Sequence, residues 1–269
     1  MLLNKEIGMT MFDVVAQAIA GYRSAEVSRT ISPSDTMYNQ WYYEIGESAV
    51  DNIALAWQAS SNDRISRVLD LPCGHGRVLR HLLRLFPDAH FDACDLDEEG
   101  VAFCANTFGA RPLLSKADLT TMHFDTSYDL IWVGSLFTHI SRDLARTWLS
   151  HLANYLSPRG MLVGTTHGRW CEHVYKVHPY ISPEGWRVVL NGYKSSGYGY
   201  CDYHPEESHT YLRGSYGISL AMPHATVADI EQIPGIRLLM YRERAWSDHQ
   251  DVFAICKPAF NDPWPGMPA

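Results

Sequence analysis

Two groups of residues in this 269-residue chain have the types and spacing to do chemistry. The first is Asp70, Pro72, Gly74 and Gly76, with Asp95 further on. Glycines keep side chains off a turn, so peptide N–H groups can approach a ligand at the start of a following helix. An acid about 20 residues beyond such a turn can accept both hydroxyls of a ribose. The second group is His139, His167 and His249. Imidazole titrates near neutral pH and can take the proton of a hydroxyl nucleophile. His139 and His167 are the candidate bases. His249, between Asp248 and Asp251, is a candidate for the acceptor pocket. The plainer alternative is that each histidine caps a strand or bonds to backbone.

These residues need elements to hold them. The apolar run at 66–71 predicts a strand, and "GRVLRHLLRLF" predicts a helix over 76–86. Strands at 90–95 and 112–115 alternate with a helix at 97–107. A strand at 128–134, "YDLIWVG", precedes a helix at 142–156, and "LSPRGMLVGTTHG" reads as a Pro-Gly turn into another strand. Alternation of this kind implies a mostly parallel sheet with helices on both faces, binding its ligand outside the carboxyl ends of the strands. Two N-terminal helices, 11–20 and 41–57, are broken by "SPSD", which offers an N-cap. "IRLLMYRE" and "QDVFAICK" read as an antiparallel closing pair. The expected fold is α/β: a Rossmann-like doubly wound, mostly parallel sheet with an antiparallel last strand, N-terminal helices and an inserted lid region. The expected boundaries are a helical cap at 1–60, a main domain at 61–257 and a tail at 258–269.

Residues 168–235 break the βα rhythm with a long loop rich in Gly, Tyr, Ser and His. Trp170, Tyr198, Tyr200, Tyr203 and Tyr211, with Phe137 after the fourth strand, are candidates for the acceptor pocket. The same aromatics would also suit a homodimer contact.

Asp70 discriminates between ligands. A dinucleotide turn needs a third glycine where Leu79 stands, and Asp70 would repel a pyrophosphate. The same acid suits an ammonium or sulfonium, and S-adenosylmethionine carries both together with a ribose.

"LDLPCGHGRVLR", Asp95-Leu96, "KADLTTM", "YDLIWVGSLFTHI" and "LSPRGMLVGTTHG" then resemble class I S-adenosylmethionine-dependent methyltransferases over about 100 residues in the expected order. Proline 72 stands where that family usually has its first glycine. With "TTHGR" and "DHQDV", the chain resembles a bacterial subgroup of small-molecule methyltransferases often encoded near glycosyltransferase or natural-product genes. The resemblance implies that Asp70 and Gly74 hold the methionine end, and Asp95 and Leu96 the ribose and adenine. It further implies Asp118 and Leu119 at the adenine edge, Ser135 beside the cofactor, and Met37, Tyr38 and Tyr42 closing over it.

Bulk properties narrow the partners. A formal charge of -8 disfavours a nucleic-acid substrate. No apolar run of membrane-spanning length and no signal peptide occur, so a cytoplasmic protein without a membrane partner is expected. The six cysteines form no CxxC pair and suit a reducing compartment. Cys171, His173 and His178, or Cys201, His204 and His209, match no recognised zinc spacing, and no metal is expected. Pro72-Cys73 lies in the wrong loop for a cytosine-5 methyltransferase nucleophile. Gly134-Ser135-Leu136-Phe137 stands where amino-methylating DNA enzymes carry their Pro-Pro motif. The expectation is a methyltransferase acting on a small-molecule hydroxyl of a sugar or natural product. The alternatives are an NAD-dependent or nucleotide-binding protein and a catalytically silent cofactor-binding partner.

Overall fold

A computed structural model describes residues 9–203 and 216–258. Thr10 caps the first helix, α1 (Met11–Ser24), through a reciprocal box with Asp13. Helix α2 (Tyr42–Ser60) follows and starts at Trp41, not at the "SPSD" break. The α/β body then runs β1 (Arg67–Asp70), α3 (Leu79–Leu85), β2 (His90–Asp95), α4 (Glu98–Phe108), β3 (Arg111–Leu114), β4 (Tyr128–Val133), α5 (Arg142–Ala153) and β5 (Leu156–Thr166). Beyond β5 come α6 (Arg169–Val174), α7 (Pro183–Ser196), β6 (Tyr198–Asp202), β7 (Gly217–Ala221) and α8 (Pro223–Ile230). The chain closes with β8 (Arg237–Trp246) and β9 (Gln250–Cys256).

The seven-stranded sheet has the order β3-β2-β1-β4-β5-β9-β8. Strands β1 to β5 pair in parallel, and β9 runs antiparallel to both neighbours. The strand order reverses between β1 and β4, which opens a crevice at their carboxyl ends.

Successive residues of a strand face opposite sides, and each side is covered. Val68, Leu130 and Trp132 join the core under α1 to α4, while Leu69, Ile131 and Val133 join the core under α5 and α8.

Three local expectations need correction. The helix expected at 76–86 begins at Leu79, because Gly76 sits at φ +76° and the turn runs on before it. "LSPRG" does not precede a strand: it lies inside β5 as a bulge, with Leu156 paired to Tyr128 and Met161 already opposite Leu130. The region 168–235 is not one long loop. Its helices and the β6–β7 hairpin bury a small core of their own, including Cys171, Trp186, Val189 and Leu220.

This insertion is laced to the sheet. The Gly217, Ser219 and Ala221 amides donate to the carbonyls of His139, Thr138 and His167 at 2.8, 2.9 and 2.8 Å. Among the described residues no helix is long and apolar enough to cross a membrane, and all six cysteines are free thiols.

Candidate cofactor and acceptor site

The turn after β1 wraps around the end of β2. The Cys73 amide donates to the Cys94 carbonyl at 3.0 Å, and the Gly74 amide to Asp95 Oδ2 at 2.7 Å. The two glycines do different work. Gly74 has φ +48°, and a Cβ there would meet nothing within 4 Å, so it faces open space. Gly76 has φ +76°, and its Cβ would lie 2.5 Å from the Phe108 ring, so it seats the turn on α4. Gly76 is therefore a packing residue and does not line the cavity.

That cavity has a volume of about 1110 Å3, slightly above the roughly 300–1,000 Å3 range of small-molecule sites, and has room for two ligands. Its floor contains the key acid. Asp70 is buried, and its carboxylate has no side-chain partner; only the Leu79 amide approaches it. Burial and then the Asp95 charge push Asp70 well above the usual carboxylate range, against the pull of Arg77 and the Leu79 amide. An orphaned buried carboxylate is costly unless a cation meets it. Asp95, also lining the cavity, accepts from the Gly74 and Asp97 amides and is raised by burial. Asp97 caps α4 through Oδ1, while Oδ2 lies 3.8 Å from His75 Nδ1.

These donors fit S-adenosylmethionine. Asp70 would meet the ammonium and the half-buried Arg77 the carboxylate. Asp95 and Asp97 would take the ribose, with Leu96, Lys116 and Leu119 beside the base. Met37, Pro72 and Ser135 line the same cavity, with Ser135 held by Thr165 Oγ1 and Gln250. Three expected cofactor residues stand off it. Tyr42 is buried and donates to Asp35 Oδ2 at 2.6 Å, Tyr38 packs edge-on against Tyr42, and Asp118 caps the short turn at Leu119–Thr121.

The far end of the cavity holds His139, Tyr180, Tyr203 and Tyr216. His139 Nδ1 lies 2.8 Å from the Gly217 carbonyl, and its ring stacks on Tyr216 at 4.8 Å. His167 lies behind it. The ring centroids are 6.0 Å apart, and His167 is buried outside the cavity wall. Burial, then His139 and His249, push His167 well below the ordinary histidine range, with the Ser219 backbone pulling the other way. His249 is off the cavity wall and meets the lining residue Tyr180, whose hydroxyl is 2.6 Å from Nε2. Burial lowers it too.

Phe137, Trp170 and Tyr198 are not on the cavity wall. Phe137 packs in the core against Phe253, Tyr198 donates to the Ile140 carbonyl at 2.8 Å, and Trp170 lies under the Arg244 guanidinium. Tyr211, His204 and His209 fall outside the described residues. Tyr200 bonds Asp202 and does not line the cavity.

Asp35, Arg77, Asp97 and Tyr180 line the cavity and were missed by sequence reasoning. Arg77 and Asp97 stand one and two places from residues already singled out, which was a usable signal. Asp35, two places before Met37, had the same signal, and Tyr180 carried none.

This strand order, with a glycine turn at the reversal point and an orphaned acid beneath it, defines a class I methyltransferase fold. Residues 69–162 match the model of a methyltransferase-domain family. Among curated relatives, a malonyl-[acyl-carrier protein] O-methyltransferase of Bacillus anthracis is 31% identical over 111 residues, 41% of this chain and 40% of that one. One from Halalkalibacterium halodurans is 26% identical over 157 residues, 49% of this chain and 56% of that one. The chain thus spans about half the length of the curated relatives it matches. Among solved structures, the plantazolicin methyltransferase BpumL superposes with a TM-score of 0.54 at 15% identity, covering 92% of this chain and 97% of that one. CalS10, an amino pentose methyltransferase from Micromonospora echinaspora, gives 0.51 at 16% identity over 87% of this chain and 100% of that one. Both likenesses concern the fold.

Proposed function

We propose that this protein transfers a methyl group from S-adenosylmethionine to a hydroxyl of a small molecule, a sugar or other natural product. The observation that carries the reading is Asp70, a buried carboxylate without a side-chain partner, in a cavity that also takes in His139 and three tyrosines. When bound, the cofactor supplies an electrophilic methyl group on a sulfonium. The protein's part is alignment, exclusion of water and removal of one proton. With Nδ1–H donated to the Gly217 carbonyl, Nε2 is the basic atom of His139 and takes the acceptor's hydroxyl proton. His167, buried off the cavity, is not the base. Tyr180, Tyr203 and Tyr216 supply flat faces for a ring-bearing acceptor.

The relatives' printed activity is O-methylation of malonyl-[acyl-carrier protein]. A carboxylate acceptor needs no base, so the two acceptor classes separate by their dependence on His139. The testing experiment is calorimetric titration with S-adenosylhomocysteine and, separately, NAD, followed by labelled-methyl transfer to hydroxyl and carboxyl acceptors. Binding of S-adenosylhomocysteine alone supports the reading. NAD binding sinks it, and cofactor binding without transfer to any acceptor favours a silent partner.

A further inference from the structure

Behind the acceptor end lies a second cluster that the methyl-transfer chemistry does not use. His167 follows β5, Cys171 lies in α6 and His249 in the turn between β8 and β9. One potential ligand atom from each lies within 4.8 Å of the other two. His167 and Cys171 are buried, and His249 is half-buried. His167 Nδ1 is enclosed without any hydrogen-bond partner. The Cys171 thiol makes a long contact, 3.9 Å, to the His249 carbonyl and lies beside the Tyr180 hydroxyl. A fourth donor is at hand in the Tyr180 hydroxyl, 2.6 Å from His249 Nε2.

We propose that His167, Cys171 and His249 bind one zinc ion, with Tyr180 or water completing the tetrahedron. Two imidazoles and a thiolate are the borderline-soft donors that zinc selects, and hard cations such as magnesium would find too few oxygens. The Ser219 backbone, an acceptor for the His167 ring, would orient it as second-shell carbonyls do. Asp251 is close but occupied, since it accepts from Tyr241 and the Arg244 amide. Binding releases the Cys171 proton to solvent and joins the insertion to the sheet rim by three separate elements.

The test does not depend on methyl transfer. Purified protein is assayed for zinc by plasma mass spectrometry, and its cobalt-substituted form by absorption. The expected result is near one zinc per chain and a sulfur-to-cobalt charge-transfer band. Cys171→Ser and His249→Gln should each lower occupancy at least tenfold, while Cys201→Ser and His178→Gln leave it unchanged. X-ray absorption of the wild-type protein reads the same site without variants and should give one sulfur at about 2.3 Å. Failure to retain or take up zinc or cobalt, a sulfur-free shell, or occupancy indifferent to Cys171 and His249 would each overturn the site. A protein that binds zinc but no S-adenosylhomocysteine would keep this inference and end the methyltransferase reading.

Discussion

The Gly74 amide donates to the Asp95 carboxylate at 2.7 Å, so the turn after β1 and the end of β2 form one wall of the cavity. The acid expected to hold the ribose therefore also holds the turn. Asp95→Ala should lower S-adenosylhomocysteine affinity and the melting temperature together. Calorimetry that changes only one of them would separate the two roles.

Asp70 is expected to behave in the opposite sense. Asp70→Asn removes a charged partner of the ammonium, about 1.5–3 kcal/mol, or a roughly ten- to hundredfold loss of cofactor affinity. Yet it should stabilise the unliganded protein. A raised carboxylate pKa means the folded chain holds a proton that the unfolded chain has released above pH ~4, so the penalty grows as pH rises. The variant's gain in melting temperature should be larger at pH 8 than at pH 5. Equal affinities for the two proteins would remove Asp70 from the site.

The two turn glycines predict different phenotypes. Gly76→Ala must displace the Phe108 ring, 2.5 Å away, at a positive φ, and should cost about 2–4 kcal/mol in chemical denaturation. Gly74→Ala meets open space and should cost about 1 kcal/mol from its φ alone, while placing a methyl group where the cofactor would lie. Stability is the readout for the first, cofactor affinity for the second.

His139→Gln should lower kcat about 10²–10⁴-fold for a hydroxyl acceptor and leave cofactor affinity within error. An unchanged kcat would mean that the acceptor arrives already ionised, as a carboxylate does.

Arg80 is a buried cation whose guanidinium donates to the carbonyls of Ser28, Thr30, His75 and Gly76. Arg80→Ala orphans these groups and should destabilise the fold by about 2–4 kcal/mol, measured by urea unfolding. Arg80→Lys, a single point donor, should recover only part of it.

His81 gives a stability profile with pH. Burial, then Arg80 and Arg29, push it down to about 4. The unfolded ring protonates near 6.5, so full stability is present above that pH and is lost as pH falls towards 4, by about 3 kcal/mol. His81→Gln should flatten that slope in melting curves at pH 7 and pH 5.

The α/β body was legible because its signals are local. "VLDLPCGHG" places strand, turn and acid within nine residues, and the β2 acid follows at the distance a strand–helix–strand unit imposes. Tyr180 reaches the cavity only through the packing of distant segments, and its neighbours carry no sign of it. Phe137, Tyr198 and Trp170 failed for a related reason. Aromatic type says that a residue buries area, while the choice between core and cavity is made by which side of the strand or loop it faces. The 168–235 region misled because its glycines and tyrosines form a helix cap and a hairpin whose small core comes from residues far apart in sequence.

The lacing of Gly217, Ser219 and Ala221 onto the rim carbonyls has an evolutionary corollary. Since those three bonds use only main-chain atoms, side chains along the hairpin and its approaches can drift without unpicking the seam. New acceptor preferences can thus arise by exchange at Tyr180, Tyr203 and Tyr216 while the methyl donor's half of the cavity is inherited intact.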